Sequence, residues 1–352
     1  IYTSQFDCAS MLWVRIADSG VLVEERSRPS LGDGDILVKM HSCGLCGSDL
    51  EKVYGKYAMQ SARVGHEPAG EVVKVGKDVN KVDIGDRIFV HHHVSCYSCR
   101  YCLHGDYTMC DMYQRSNIDP CGLSEEFVVP QWNISRGGII KLPDNVSYEE
   151  AALIEPLACC IRAFNKISVK DGDNVAIIGA GPTGMMHLLL AERAGANKIF
   201  VIDINEFRLK FALRYQNTLT FNPLQTKDIS ERIKELSNDI GVDSTIIATG
   251  NVRALDQALT FTRRGGRILL FGVPPKNARV NLELSRIYSN EFILLPSYGA
   301  SEVETSQALA LITDKSINVQ PLVTHRFDIK QSKDAFVCAH EAIGVMKVVV
   351  TS

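Results

Sequence analysis

The sequence predicts an α/β protein in which a β-rich unit is followed by a doubly wound parallel sheet with helices on both faces. From residue 11 to about 160, short alternating or β-branched runs such as "GDILVKM", "GEVVKVG", "GDRIFV" and "EEFVVP" are each bounded by glycine, aspartate or proline, the signature of short strands joined by long loops. From about residue 172 the runs become fully apolar: "NVAIIG", "KIFVID", "STIIAT", "GRILLFGV". Helical stretches such as "GPTGMMHLLLAERAG" separate them, and short all-apolar strands alternating with helices indicate a parallel sheet buried on both faces. The tail after about residue 300 reads helix, strand, helix, strand. It can extend the parallel sheet or return to the first unit. No internal repeat or low-complexity segment interrupts the pattern.

The 352 residues leave room for two domains and a large core. Apolar residues make up 45% and charged residues 22%, which are globular values. The formal net charge is −3 and no run of lysine or arginine occurs, so nucleic acid and anionic membranes are excluded as partners and a small molecule is favoured. No apolar stretch approaches the roughly 20 residues of a spanning helix, and the first twenty residues lack the basic and apolar segments of a secretory signal. A cytoplasmic protein is expected.

The segment "CYSCRYCLHGDYTMC" spaces Cys96, Cys99, Cys102 and Cys110 by two, two and seven residues. The chain has 11 cysteines, an odd number, and a cytoplasmic location argues against a disulfide framework. Bacterial iron–sulfur ligands have a last gap of three with proline following; here the gap is seven and Asp111 follows. Four thiolates from one short polar loop are expected to close a tetrahedron around a structural zinc, with no position left open for chemistry.

In "IIGAGPTG", Gly179, Gly181 and Gly184 stand in the G-x-G-x-x-G arrangement directly after an apolar strand and at the opening of a helix. Backbone N–H groups of that turn, with Pro182 and Thr183 inside it, are expected to meet a dinucleotide pyrophosphate at the helix N-terminus. Asp203 lies at the end of the next strand, "KIFVID", where a carboxylate accepts from an adenosine ribose diol and repels a 2′-phosphate. Ile204 follows instead of an arginine, which favours NAD over NADP. Arg208 is assigned to the adenine side, Gly272 and Val273 to the cofactor rim, and His187 to helix packing.

A dinucleotide site implies hydride transfer, and the first unit offers the means to activate an alcohol oxygen. "CGLCGSDLE", "GHEPAG" and "ALIEPLACC" supply cysteine, histidine and carboxylate from separate loops, a set suited to a zinc with one open position.

Together these fragments resemble the zinc-dependent medium-chain dehydrogenases over essentially the whole chain. "GHEPAGEVVKVGKDV" fits the family signature from Gly65 through Gly70 and Gly76 to Val79, and Cys46, Gly47, Ser48 and Asp49 fit the motif upstream of it. The resemblance implies a GroES-like catalytic unit over 1–160 carrying the 96–110 lobe, a Rossmann unit over 161–298, and a return to the first unit over 299–352. It makes Cys46 and His66 ligands of a catalytic zinc, with Glu67 a third ligand or neighbour. Glu155 in "IEPL" stands where simple alcohol dehydrogenases have a second cysteine, as in the sorbitol, threonine and sugar dehydrogenase branch. Which of Glu67 and Glu155 touches the metal stays open. Cys43, Cys159 and Cys160 are read as structural. Two zincs per chain follow, one catalytic and one structural, and family members of this type are usually homotetramers, sometimes homodimers.

The resemblance further implies that Ser48 accepts the substrate proton while hydride passes to the nicotinamide. Glu51 occupies the position of the usual relay histidine and is expected to pass the proton to solvent. His92 in "HHHVSC" stands where alcohol dehydrogenases carry a bulky apolar pocket residue, and a polar wall favours a hydroxyl-rich substrate. Tyr54 and Tyr57 are expected to add polar edges. The three adjacent histidines are not expected to form a further metal site, because neighbours on a strand point to opposite faces. A polyol or sugar oxidised at a secondary alcohol is the resulting expectation; L-threonine 3-dehydrogenase and aldose 1-dehydrogenase are the rivals inside the family. A zinc-free reductase or a non-catalytic dinucleotide-binding protein is the reading outside it.

Overall fold

The computed structural model describes residues 10–55 and 62–352. Strands β1 (Ser10–Ala17) and β2 (Gly20–Ser27) form an antiparallel hairpin. The chain then lays down β3 (Ile36–Gly44), β4 (Glu67–Val75), β5 (Arg87–Val90), β6 (Glu126–Val129) and β7 (Ile139–Lys141), all antiparallel to their neighbours. Their inward residues, among them Val38, Met40, Val72, Ile88 and Phe127, form one core.

Six strands follow: β8 (Asn174–Ile178), β9 (Lys198–Ile202), β10 (Thr218–Phe221), β11 (Val242–Ile247), β12 (Thr262–Leu270) and β13 (Ile293–Pro296). They make a wholly parallel sheet of order β10-β9-β8-β11-β12-β13. Their apolar runs are continuous because both faces are covered. Val175, Ile177, Ile199 and Val201 enter one core, whereas Ala176, Ile178, Phe200 and Ile202 enter another on the opposite face. The strand order reverses between β8 and β11, the switch point where such sheets open a crevice at their carboxyl ends.

The tail forms helix Glu302–Thr313, β14 (Val323–Asp328), helix Ser332–Glu341 and β15 (Lys347–Thr351). β15 pairs antiparallel with β3 and parallel with β14, giving the first sheet the order β14-β15-β3-β4-β5-β7, with β6 against β3. The first sheet therefore contains strands from both ends of the sequence. Among the described residues, no helix is long and apolar enough to cross a membrane.

Candidate metal and dinucleotide sites

Two clusters of metal-binding side chains occur among the described residues. The first joins Cys96, Cys99, Cys102 and Cys110, whose sulfurs all lie within 4.8 Å of one another. Cys96 and Cys102 sulfurs are 3.9 Å apart, and Cys99 and Cys102 sulfurs 3.6 Å. A tetrahedron with Zn–S bonds of about 2.3 Å has edges of about 3.8 Å, so the donor set fits zinc. The N–H groups of Ser98 and Cys99 and the hydroxyl of Ser98 donate to the Cys96 sulfur. These donors bring its thiol down to about 6, so the loop presents a thiolate at neutral pH.

The second cluster joins Cys46, His66 and Glu67, whose ligand atoms again lie within 4.8 Å of one another. Cys46 is the residue before helix Gly47–Tyr54, and Glu67 is the first residue of β4. Sulfur, nitrogen and oxygen donors from three positions fit a zinc with a fourth position free. Asp49, fully buried in the first turn of that helix, reaches His66 Nδ1 with Oδ2 at 3.5 Å and accepts from the N–H groups of Gly65 and Cys46. Burial opposes its charge, but His66, Lys52 and the Cys46 N–H outweigh it and hold the carboxyl at about 2.

Lys347, the first residue of β15, is buried against Glu67, with Nζ 2.8 Å from Oε1 and 2.5 Å from Oε2. Burial opposes the ammonium charge, yet Glu67, Cys46 and Glu155 together raise it above the ordinary lysine range. Gly44 of β3 lies between the two strands and makes room for this pair. A Cβ there would sit 1.9 Å from Glu67 Oε2 and 3.0 Å from Lys347 Cε.

Glu155 is buried in the first turn of helix Ile154–Ile167, near this cluster but outside the triplet. The Cys159 thiol donates to its Oε1 at 3.4 Å. Cys159 thus touches Glu155 as well as packing in the helix, whereas Cys43 and Cys160 are fully buried. Ser48 is half-buried on helix Gly47–Tyr54 and Glu51 exposed on it. Tyr54 stacks on His340 of helix Ser332–Glu341 at 4.0 Å; Tyr57 lies outside the described residues.

The three adjacent histidines lie beyond the end of β5, so strand alternation does not separate them. His92 and His93 rings are 3.9 Å apart and His92 is 5.2 Å from His66. They still form no metal-binding group among the described residues. Burial, with His93, His66 and His91 around it, keeps His92 well below the ordinary histidine range. Tyr113, buried, closes on His93 at 5.2 Å.

At the parallel sheet, Gly179 takes a left-handed φ of 102°, and a Cβ on Gly184 would meet Gly179 O at 1.9 Å. The turn can approach a ligand only because both are glycine. Pro182 is the first residue of helix Pro182–Arg193, with Thr183 beside it. Asp203 Oδ2 accepts from Ala180 N at 2.6 Å and Oδ1 from Asn205 N at 2.8 Å, which holds the carboxylate over the turn. The Arg208 guanidinium borders the same turn, 3.7 Å from where a Cβ on Gly181 would stand. Gly272, packed on Thr249, and half-exposed Val273 lie at the ends of β11 and β12. His187 is fully buried, edge-on to Phe271 at 4.7 Å, and neither ring nitrogen has a partner.

Sequence reasoning did not single out Lys347, Tyr113 or Glu302 for these sites. Lys347 had a local signal, a lysine opening the all-apolar run "VVV" of a core strand.

The family model described as alcohol dehydrogenase GroES-like domain matches residues 32–144, and that described as zinc-binding dehydrogenase matches residues 182–314. The sorbitol dehydrogenase of Bacillus subtilis is 32% identical over 323 residues, covering 90% of this chain and 89% of that protein. An L-threonine 3-dehydrogenase of Vibrio parahaemolyticus is 28% identical over 91% of this chain and 92% of its own length. Among solved structures, a zinc-binding dehydrogenase from Sinorhizobium meliloti bound to NADP superposes with a TM-score of 0.87 at 27% identity, covering 98% of this chain and 100% of that one.

Proposed function

The chain belongs to the zinc-dependent medium-chain dehydrogenases, a GroES-like unit joined to a Rossmann unit, and from that premise we propose that it oxidises a secondary alcohol of a polyol or sugar-like substrate to the ketone, reversibly, with NAD. The observation that carries this reading is the Cys46–His66–Glu67 triplet beside His92. That triplet also argues against a zinc-free reductase or a non-catalytic binding protein.

Zinc held there supplies a Lewis acid that acidifies a bound alcohol, and bound dinucleotide supplies the hydride acceptor. Cys46 and His66 would hold the metal, and Asp49 fixes the His66 ring through Nδ1. Of the two carboxylates, Glu67 lies in the triplet but is paired with Lys347, whereas Glu155 is held only by the Cys159 thiol, so either would be available to a metal bound there. Ser48 Oγ takes the substrate proton, and exposed Glu51 passes it to solvent. His92, half-buried with a buried and unpartnered Nδ1, recognises a substrate hydroxyl, because a buried polar atom without a partner favours a ligand that supplies one. Asp203 favours NAD by repelling a 2′-phosphate from the turn it caps. The four-cysteine lobe would hold the second, structural zinc.

The expected dimer or tetramer has a supporting feature in β13. Among the described strands β13 pairs with β12 alone. Ile293 in it is 43% exposed, and helix Leu284–Ser289 before it buries no residue. An open apolar strand edge invites pairing with a second copy.

The test is NADH formation at about 340 nm across polyols, aldoses, inositols, threonine and short alcohols, with NAD and NADP in parallel. Turnover of polyols with NAD is expected, and Cys46→Ser should lose one zinc per chain together with about 10³-fold or more of kcat/KM, the scale of several kcal/mol of lost charge stabilisation. Activity confined to threonine, or to the anomeric hydroxyl of aldoses, would replace the polyol reading by one of its rivals.

A further inference from the structure

We propose that Glu302 is a positioning residue: with Tyr97 and His91 it ties the four-cysteine lobe to the histidine wall of the substrate cleft, so that metal in the lobe and order at that wall support each other. The proposal rests on the reading that the lobe holds zinc.

Tyr97 lies between the first two lobe cysteines, in the left-handed region with φ of 59°. A tyrosine adopts that backbone only when its surroundings impose it. Cys96 Sγ takes the N–H groups of Ser98 and Cys99, so closing the loop around a metal fixes the residue between them. The direction of the Tyr97 ring is therefore set by the lobe. Its hydroxyl donates to Glu302 Oε2, across 205 positions of sequence.

The other oxygen of Glu302, Oε1, meets His91 Nδ1 at 2.8 Å. Both partners are buried, Glu302 at 8% exposure and His91 at 0%. A carboxylate out of water depends on its donors, and these hydrogen bonds are stronger than neutral ones. Glu302 opens helix Glu302–Thr313, which packs on helix Ile154–Ile167, the bearer of Glu155. His91 is bonded directly to His92, and Asn133 Nδ2 donates to the carbonyls of both at 3.0 and 2.9 Å. Tyr97 and His91 thus compete for no oxygen; each secures one, and loss of either leaves a half-satisfied buried carboxylate.

The experiment follows zinc transfer from the full-length, two-zinc protein to a chromogenic chelator. A His66→Ala protein identifies which kinetic phase belongs to the lobe. His91→Asn touches no cysteine, yet it should speed release from the lobe about fivefold, the factor of roughly one net hydrogen bond, while the catalytic-zinc phase stays unchanged. Tyr97→Phe and Glu302→Gln should each do the same, and combining His91→Asn with Tyr97→Phe should add no further acceleration, since both act through one carboxylate.

Release from the lobe at the wild-type rate in His91→Asn, or single effects that multiply in the double variant, overturns the proposal. Equal acceleration of both zinc phases also overturns it, because that marks a generally loosened fold. A wild-type protein carrying a single zinc and no lobe phase overturns the two-zinc reading as well, and the metal stoichiometry tells that case from the others.

Discussion

Lys347 holds the Glu67 corner of the triplet. A buried ion pair adds little net stability against an apolar replacement of both partners, but removing one partner strands the other charge. Lys347→Met should therefore destabilise the chelator-treated protein by about 3–5 kcal/mol, seen as a lower urea midpoint, and Glu67→Gln in the same chain should recover part of it. A double variant no more stable than Lys347→Met alone would show that the pair carries no such strain. The motif residues were legible beforehand because their meaning lies in short spacings: Cys46 with Asp49, His66 with Glu67, the four lobe cysteines, the three glycines. Lys347 and Glu302 were not, since their partners lie 280 and more than 200 positions away and nothing local marks a pairing made only by the folded sheet.

The strands show a similar division. The apolar runs of β8 and β9 announced a doubly covered sheet because alternate residues had to satisfy two separate cores. Strand alternation failed at His91, His92 and His93 because β5 ends at Val90, and a chain that has left its strand no longer has period two. The pairing of β15 with both β3 and β14 was likewise beyond a local reading; the sequence allowed the tail to join either sheet. At this scale the open edge of β13 carries a prediction. Ile293→Lys places a charge on the exposed strand, and light scattering after gel filtration should show a smaller assembly with the zinc content unchanged. An unaltered mass would mean that β13 is not a subunit contact.

Across the whole molecule, stability against acid depends on buried groups that resist protonation. His187, without a partner for either nitrogen, is brought down to about 3 by burial alone, against an ordinary value near 6.5. Above about pH 6.5 the folded and unfolded chains both hold it neutral, so it contributes no slope. As pH falls below about 6.5 only the unfolded chain takes up the proton, and roughly 1.4 kcal/mol of stability is lost per unit down to the folded value. His187→Leu should flatten that part of the profile in urea unfolding between about pH 6 and 4 and leave dinucleotide binding intact; an unchanged slope would assign acid lability to other groups. The join between Glu67 and Lys347 also has a consequence in time. During synthesis at about 5–20 residues per second, the carboxylate emerges some 280 residues before its ammonium, a wait of roughly 15–60 seconds. In that interval every strand of the parallel sheet, from Asn174 to Pro296, has been synthesised, whereas β15, the partner of β3, has not. The first sheet therefore cannot gain its β3–β15 pairing until the last residues of the chain have been made.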